Sequence, residues 1–157
     1  MEDGKVGSSG HEAMGTILVA IDFSEASLNA LRFGDRFARM SGVGFAVCHV
    51  IPSMTQVNPL FPQASLPDPS ALEAEEEAVT SQVAEVVAAR TGRSAGSYDL
   101  LVTRGSPAAE IVRTAEAIGA GAVVIANRGT SGLVRMLVGS VSESVVRHAH
   151  CTVVVVR

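Results

Sequence analysis

Five short apolar runs alternate along the 157-residue chain with segments long enough to form helices. They occupy residues 16–21, 43–51, 97–103, 122–127 and 152–156 and are rich in Val, Ile, Ala and Leu. Short runs of this kind separated by helices indicate parallel βαβ units, whose crossovers are right-handed. We therefore expect one α/β domain with a Rossmann-like fold: an open five-stranded parallel sheet, order 3-2-1-4-5, with helices on both faces.

The segment after the first run shows how a helix should begin and end. In "DFSE", Asp22 or Ser24 can cap the helix, and Asp22 with Glu25 forms a D-x-x-E capping pattern. Gly42 then supplies a stop. The apolar stripe expected on this helix consists of Ala26, Ala30, Phe33, Phe37 and Met40.

The later helices are bounded in a similar way. "SALE" at 70–73 and "SVSE" at 140–143 match capping boxes, and Ser106 precedes Pro107, which suits the first helical position. Five of the six prolines lie between 52 and 69. Because proline interrupts helices and central strands, this segment is predicted to be a long loop.

Composition excludes several classes of partner. A formal net charge of −4 argues against nucleic acid, because binding to a phosphate backbone needs a clustered excess of Lys and Arg. Residues 1–14 are polar and predicted to form a flexible tail without a secretory signal. No apolar run approaches the roughly 20 residues that span a membrane. A cytoplasmic location and no membrane partner are therefore expected.

The residues that most often bind metals or act in catalysis are given structural roles here. Cys48 and Cys151 lie in Val-rich runs, so they are interpreted as small buried apolar residues. "HAHC" at 148–151 has no distant Cys or His pair to complete a tetrahedral set, so no metal site is expected. His49 is interpreted as a core or rim histidine, and no catalytic residue is assigned.

Two features fall where the strand order of the predicted sheet reverses, between strands one and four. Asp22 follows the first strand, and a loop with Gly129, Gly132 and Gly139 follows the fourth. Glycines permit close backbone approach to phosphate, and Gly139 with residues 140–142 opens a helix, where amide groups and the dipole favour an anion. The spacing is neither a P-loop nor a dinucleotide G-x-G-x-x-G motif.

At this point the chain resembles the universal stress protein family. The likeness extends from Thr16 through "ILVAIDFSEASLNAL", "VCHVI", "GSPAAEIVRTAE" and "GSVSESVVRHAHCTVVVV". The nucleotide-binding branch of that family carries G-x-x-G, nine residues and then Gly-Ser or Gly-Thr. Gly129, nine residues and Gly139-Ser140 match its second half. The resemblance implies a single universal stress protein domain over residues 15–157, with the fold of the adenine nucleotide alpha hydrolases.

The resemblance also implies roles for individual residues in binding ATP together with Mg²⁺. Asp22 and Val50 would contact the adenine, and the end of strand four would face the ribose and phosphates. The residues implied at the ribose and phosphates are Ala126, Asn127, Gly129, Gly139, Ser140 and Val141. The predicted cofactor-binding set is completed by Arg128, Gly132 and Ser142, which lie in the same loop and helix start.

Three of these assignments have alternatives. Asp22 can act as a helix cap instead of an adenine contact. Arg128 and Arg135 flank the glycine loop and can either neutralise phosphate charge or remain solvated. Ala126 replaces the first glycine of the motif, which costs about 1–2 kcal/mol if that position requires a left-handed backbone and little otherwise. The sequence also has Ala20 where the family usually has proline near Asp22.

The function that follows is an ATP-binding regulatory protein of the stress response. ATP would bias the 52–69 loop and a dimer surface, with at most slow hydrolysis. The last strand, Thr152 to Val156, would be an uncharged apolar sheet edge, and the resemblance implies a homodimer through it. Alternatives are a stress adaptor or chaperone-like dimer that binds no nucleotide, and an adenylate-forming enzyme, whose H-x-G-H and S-G-G-x-D-S motifs are absent.

Overall fold

The computed structural model describes residues 15–53, 68–127 and 139–157. The elements are β1 (Ile17–Ile21), α1 (Glu25–Ser41), β2 (Phe45–Pro52), α2 (Pro69–Thr91), β3 (Asp99–Gly105), α3 (Pro107–Ala117), β4 (Ala122–Ala126), α4 (Ser140–His148) and β5 (Thr152–Val156). All strand pairs in the sheet are parallel, and their order is β3-β2-β1-β4-β5. The predicted fold and strand order are confirmed.

The sheet lies between two layers of helices, and each layer packs against one face of the sheet to form a separate hydrophobic core. On one face, Leu28 and Leu31 of α1 and Val83 and Val87 of α2 pack against alternate strand residues. On the other face, α3 and α4 pack against the intervening strand residues. The two central strands, β1 and β4, are buried along their whole length, as expected for parallel strands covered on both sides.

The predicted stripe on helix α1 is correct only in part. Ala30 is completely buried, as predicted, but Met40 is 86% exposed, and the other deeply buried apolar residues of the helix are Leu28, Leu31 and Ala38. Gly34 lies directly against Val19, where an added Cβ would collide with the valine side chain. The small residues let the helix approach β1 closely, so Ala26, Phe33 and Phe37 pack only at the margin of the core.

Two of the predicted helix caps are wrong, and at α1 the structure decides between the two candidates, Asp22 and Ser24. The cap of α1 is Ser24, whose side chain accepts a hydrogen bond from the Ser27 amide, and not the Asp22/Glu25 pair. The cap of α2 is Asp68, one residue before Pro69, and not Ser70. The cap of α4 is Gly139, without a side-chain bond, and not Ser140.

The remaining predictions about single residues fare better. Gly42 ends α1 in the left-handed conformation, and Pro107 stands at the start of α3 after Ser106, both as predicted. Gly92 ends α2 in the same conformation as Gly42. Both cysteines are free thiols; Cys48 is completely buried as predicted, whereas Cys151 is partly exposed and not buried. Among the helices of the described residues, none is both long and apolar enough to cross a membrane. Most of the predicted loop, residues 54–67, lies outside the described part.

Candidate functional site

A cavity of about 290 Å³ opens at the carboxyl ends of the central strands. Its floor is apolar and comes from Ala20, Cys48, Val50 and Ile125 of β1, β2 and β4. One wall is the start of α3, and another is the first turn of α4 at 139–142. The cavity therefore lies at the switch point between β1 and β4, where open α/β sheets bind ligands.

Asp22 reaches the cavity from a tight turn between β1 and α1. Its Oδ1 accepts hydrogen bonds from the amide of Ser24 at 3.1 Å and from the Ser24 hydroxyl at 2.5 Å. Its own amide donates to the hydroxyl of Ser27 at 3.2 Å, and Ser27 is itself buried. Asp22 thus shapes the turn that carries the cap of α1, without being the cap.

The residue that follows Asp22 has an unusual backbone. Phe23 has φ 64° and is the one non-glycine residue with positive φ in the described part of the chain. This left-handed conformation costs about 1–2 kcal/mol for an L-residue. The Phe23 ring lies 4.7 Å, centre to centre, from the ring of His49. The cost of this backbone conformation is therefore offset by the packing of the ring and by the hydrogen bonds that Asp22 makes in the same turn.

Cys48 belongs to the floor of the cavity and is itself completely buried. Burial raises the pKa of its thiol to about 11, outweighing a hydrogen bond with Thr114 that lowers it. A thiol with such a pKa is almost entirely protonated at neutral pH, and the thiolate is the nucleophilic form. Cys48 is therefore a buried apolar residue beneath the cavity and not a reactive group.

The first turn of α4 offers backbone amides to the cavity. The amide of Gly139 donates to the carbonyl of Asn127 at 2.7 Å, so it is already used. The hydroxyl of Ser142 lies 2.9 Å from the Gly139 carbonyl and 3.2 Å from that of Asn127. The amides of Ser140, Val141 and Ser142 belong to the first helical turn, where no intrahelical acceptor exists. These three amides are the donors that an anion could meet.

Ala126 has an ordinary backbone. It ends β4, pairs in register with Val156 of β5, and does not have a positive φ. The alternative in which alanine strains this position therefore does not apply. The Ala126 side chain is 6% exposed and lines the cavity without closing it.

The structure brings together most of the predicted site residues that it describes. Asp22, Val50, Ala126 and the segment 139–142 all line the cavity. Asn127 adjoins it through its backbone, with its amide bonded to Val156 and its carbonyl to Gly139. Outside the described residues lie Arg128, Gly129, Gly132 and Arg135.

Several lining residues were not found from the sequence. The cavity is also lined by Ser27, Cys48, His49 and Pro107, for which the sequence predicts a core or rim position, a helix start or no role. The sequence could have indicated a place in the cavity for Cys48 and His49, because both lie near the carboxyl end of a predicted strand next to the switch point. Nothing in the sequence distinguished Ser27 from an exposed helical serine.

The fold and the cavity define the class: a doubly wound α/β domain with a ligand-sized crevice at its switch point. The family model described as the universal stress protein family matches residues 14–157. The chain belongs to this family. It is 27% identical to universal stress protein YxiE of Bacillus subtilis over 146 residues, 90% of this chain and 97% of that protein.

A shorter match is closer in sequence. A stretch of 53 residues is 49% identical to universal stress protein MJ0531 of Methanocaldococcus jannaschii, and this stretch is 34% of this chain and 31% of that protein. The match to this relative therefore spans about a third of its length.

Solved structures support the same fold. UspA from Lactobacillus plantarum superposes with a TM-score of 0.71 at 24% identity, covering 92% of this chain and 98% of that one. The universal stress protein of Archaeoglobus fulgidus, solved in complex with dAMP, gives a TM-score of 0.57 at 26% identity. The shares covered are again 92% of this chain and 98% of that one.

Proposed function

We propose that this chain is an ATP-binding regulatory protein of the stress response, which binds the nucleotide together with Mg²⁺ in the cavity between β1 and β4. The observation that carries the proposal is the cavity itself, with an apolar floor, a carboxylate at one side and a helix N-terminus at another. The dAMP complex of the Archaeoglobus fulgidus relative supports an adenine nucleotide as the ligand.

The adenine would lie toward Asp22 and Val50. The side chains of Val50 and Ile125 give an apolar surface for the ring, and the Asp22 carboxylate is a hydrogen-bond acceptor beside it. Adenine has one exocyclic donor, its amino group. A carboxylate at this edge would therefore favour adenine over a base that presents a carbonyl at the same position.

The phosphates would lie at the first turn of α4. The amides of Ser140, Val141 and Ser142 are directed out of the helix start, and the dipole of α4 adds a favourable interaction with negative charge. The magnesium ion would be held mainly by phosphate oxygens and water, as is usual for nucleotide complexes. The parts that Arg128, Gly129 and Gly132 would play here stay predictions.

We further propose a homodimer formed through β5. This strand is at the edge of the sheet beside β4, and Val153 to Val156 are all partly exposed. An uncharged apolar edge favours pairing with a second strand, and a second copy of the chain supplies one. We propose that regulation depends on nucleotide binding and not on nucleotide hydrolysis, and that a partner protein recognises the nucleotide-bound dimer.

The proposal is tested first on nucleotide that accompanies the purified protein. The protein is denatured and the released small molecules are identified by mass spectrometry. Thermal unfolding is then recorded with ATP, ADP, AMP and cyclic AMP, each with and without Mg²⁺. We expect bound ATP and a rise in melting temperature that is largest with Mg-ATP. An adenylate would favour the enzyme alternative, and no nucleotide with no stabilisation would favour the adaptor.

A further inference from the structure

We propose that His49 and Phe23 form a clamp that positions the Asp22 carboxylate for the adenine base. The inference rests on the proposed function and adds a determinant of base recognition to it. His49 belongs to β2, whereas the turn it would hold belongs to the β1–α1 connection (Asp22, Phe23 and Ser24). The clamp therefore joins two neighbouring strands at the edge of the cavity.

The first contact of the clamp is a hydrogen bond before the turn. Nδ1 of His49 lies 2.9 Å from the carbonyl oxygen of Ile21, the last residue of β1. A carbonyl oxygen only accepts, so this nitrogen must carry the proton and donate. A neutral His49 is thereby fixed as the Nδ1–H tautomer. The bond holds the peptide group that leads directly into Asp22.

The second contact lies just after Asp22. The ring of Phe23 packs against the ring of His49 at 4.7 Å between centres, with 47° between the planes. Phe23 has the left-handed backbone described above, which an L-residue leaves when nothing holds it. One imidazole thus contacts the residue on each side of Asp22, and it does so across two strands.

The clamp acts on Asp22 through the geometry of the turn. With Phe23 at φ 64°, Oδ1 of Asp22 reaches the Ser24 amide, and the Asp22 amide reaches the Ser27 hydroxyl. If Phe23 relaxed to a negative φ, the chain would leave Asp22 in a different direction. We expect that the bonds from Asp22 to Ser24 and to Ser27 would then not both form. The carboxylate would then leave the cavity wall, and an adenine amino group would lose its acceptor.

The test compares ATP with purine riboside 5′-triphosphate, which lacks the amino group at position 6. Dissociation constants are measured by titration calorimetry for the wild type, His49→Leu and His49→Asn. We expect the wild type to prefer ATP by about tenfold and His49→Leu to lose that preference. His49→Asn should restore part of it, because its side-chain amide can donate to the Ile21 carbonyl.

A matched control is available in α4. Nδ1 of His148 also lies close to a backbone carbonyl, that of Ser144 at 2.7 Å, but at an exposed position outside the cavity lining. We expect His148→Leu to keep the preference for ATP. A loss in both leucine variants would overturn the clamp, because the effect would then not depend on the Asp22 turn.

If His49→Leu does not fold, the protonation of the His49 ring in the wild type provides a second test. Long-range ¹H–¹⁵N spectra of the imidazole rings report which nitrogen is protonated. We expect the Nδ1–H tautomer for His49, and the Nε2–H tautomer would overturn the clamp. A wild type that prefers ATP together with a His49→Leu variant of equal preference would refute the clamp alone. A wild type that binds neither triphosphate would refute the proposed function as well.

Discussion

Ala126 shows how much a single residue of the motif can change without closing the site. Its position at the end of β4 is extended and paired with Val156, so the methyl group meets no conformational penalty. From the sequence, two outcomes were open, because the backbone conformation of one position is set by its neighbours in space. The cavity remains open beside this side chain.

We expect Ala126→Gly to leave nucleotide affinity unchanged within about twofold and to lower the free energy of unfolding by about 0.5–1 kcal/mol. The reason is that glycine brings only added freedom to an extended position. Titration calorimetry and urea unfolding measure the two effects. Gly42→Ala is a control in which strain and not added freedom lowers stability. Because Gly42 has φ 65°, alanine there should lower the free energy of unfolding by about 1 kcal/mol. A tenfold gain in affinity for Ala126→Gly would contradict an unstrained Ala126.

Cys48 gives a prediction about alkaline stability. Its pKa is raised from 9.0 to about 11 in the folded protein because burial disfavours the thiolate. The unfolded chain therefore releases this proton first, and the stabilising effect is complete below pH 9 and is lost as pH rises through 11. Between pH 8 and 10.5 we expect the free energy of unfolding of the wild type to fall by about 2 kcal/mol more than that of Cys48→Ala. Equal losses in urea unfolding would contradict it.

At the scale of elements, the helix starts were predicted only in part. The pattern at 70–73 favoured Ser70 as the cap, but Pro69 lacks an amide proton and suits the first helical position, which places the cap at Asp68. At α1, Asp22 accepts bonds from Ser24 and leaves the capping position to it. In both cases a neighbouring residue decided between two plausible caps.

We expect Ser24→Ala and Asp68→Ala each to lower the free energy of unfolding by about 1 kcal/mol, because each removes a side-chain acceptor from a first-turn amide. Ser70→Ala is the matched control and should change it by less than about 0.5 kcal/mol, since Ser70 is exposed and is not the cap. Urea unfolding of the three variants tests this assignment. A larger loss for Ser70→Ala than for Asp68→Ala would reverse it.

At the scale of the whole molecule, the order of strands followed from the alternation of apolar runs and helices, because crossover handedness and layer packing leave few topologies. The same topology placed Asp22 and Gly139 at one cavity. The Phe23 turn and the contribution of Ser27 could not be predicted, since both depend on contacts between residues whose local sequence is unremarkable. The stripe on α1 was predicted only in part for a related reason, because Gly34 fits against Val19 and brings Leu31 and Ala38 into the core.

The proposed dimer gives a prediction about β5. The carbonyl of Val156 points to β4, where it accepts from Asn127, so in an alternating strand the amide of Val155 points outward. We expect Val155→Pro to remove an outward donor and produce monomers while the fold is kept, because an edge strand tolerates proline there. Val155→Thr keeps the amide and should remain dimeric. Sedimentation velocity distinguishes the two, and a monomeric wild type at micromolar concentration would contradict the dimer.

The most direct test of the central claim is a calorimetric titration of Mg-ATP into three proteins: the wild type, Ser140→Asp and Ser70→Asp. Each substitution adds an acidic residue to the first turn of a helix, which stabilises the helix, but only Ser140 lines the cavity. The expected result is one ATP per chain for the wild type and Ser70→Asp, with binding at least about tenfold weaker for Ser140→Asp. No heat with millimolar Mg-ATP, or equal affinities for all three proteins, would contradict a nucleotide whose phosphates lie at the start of α4.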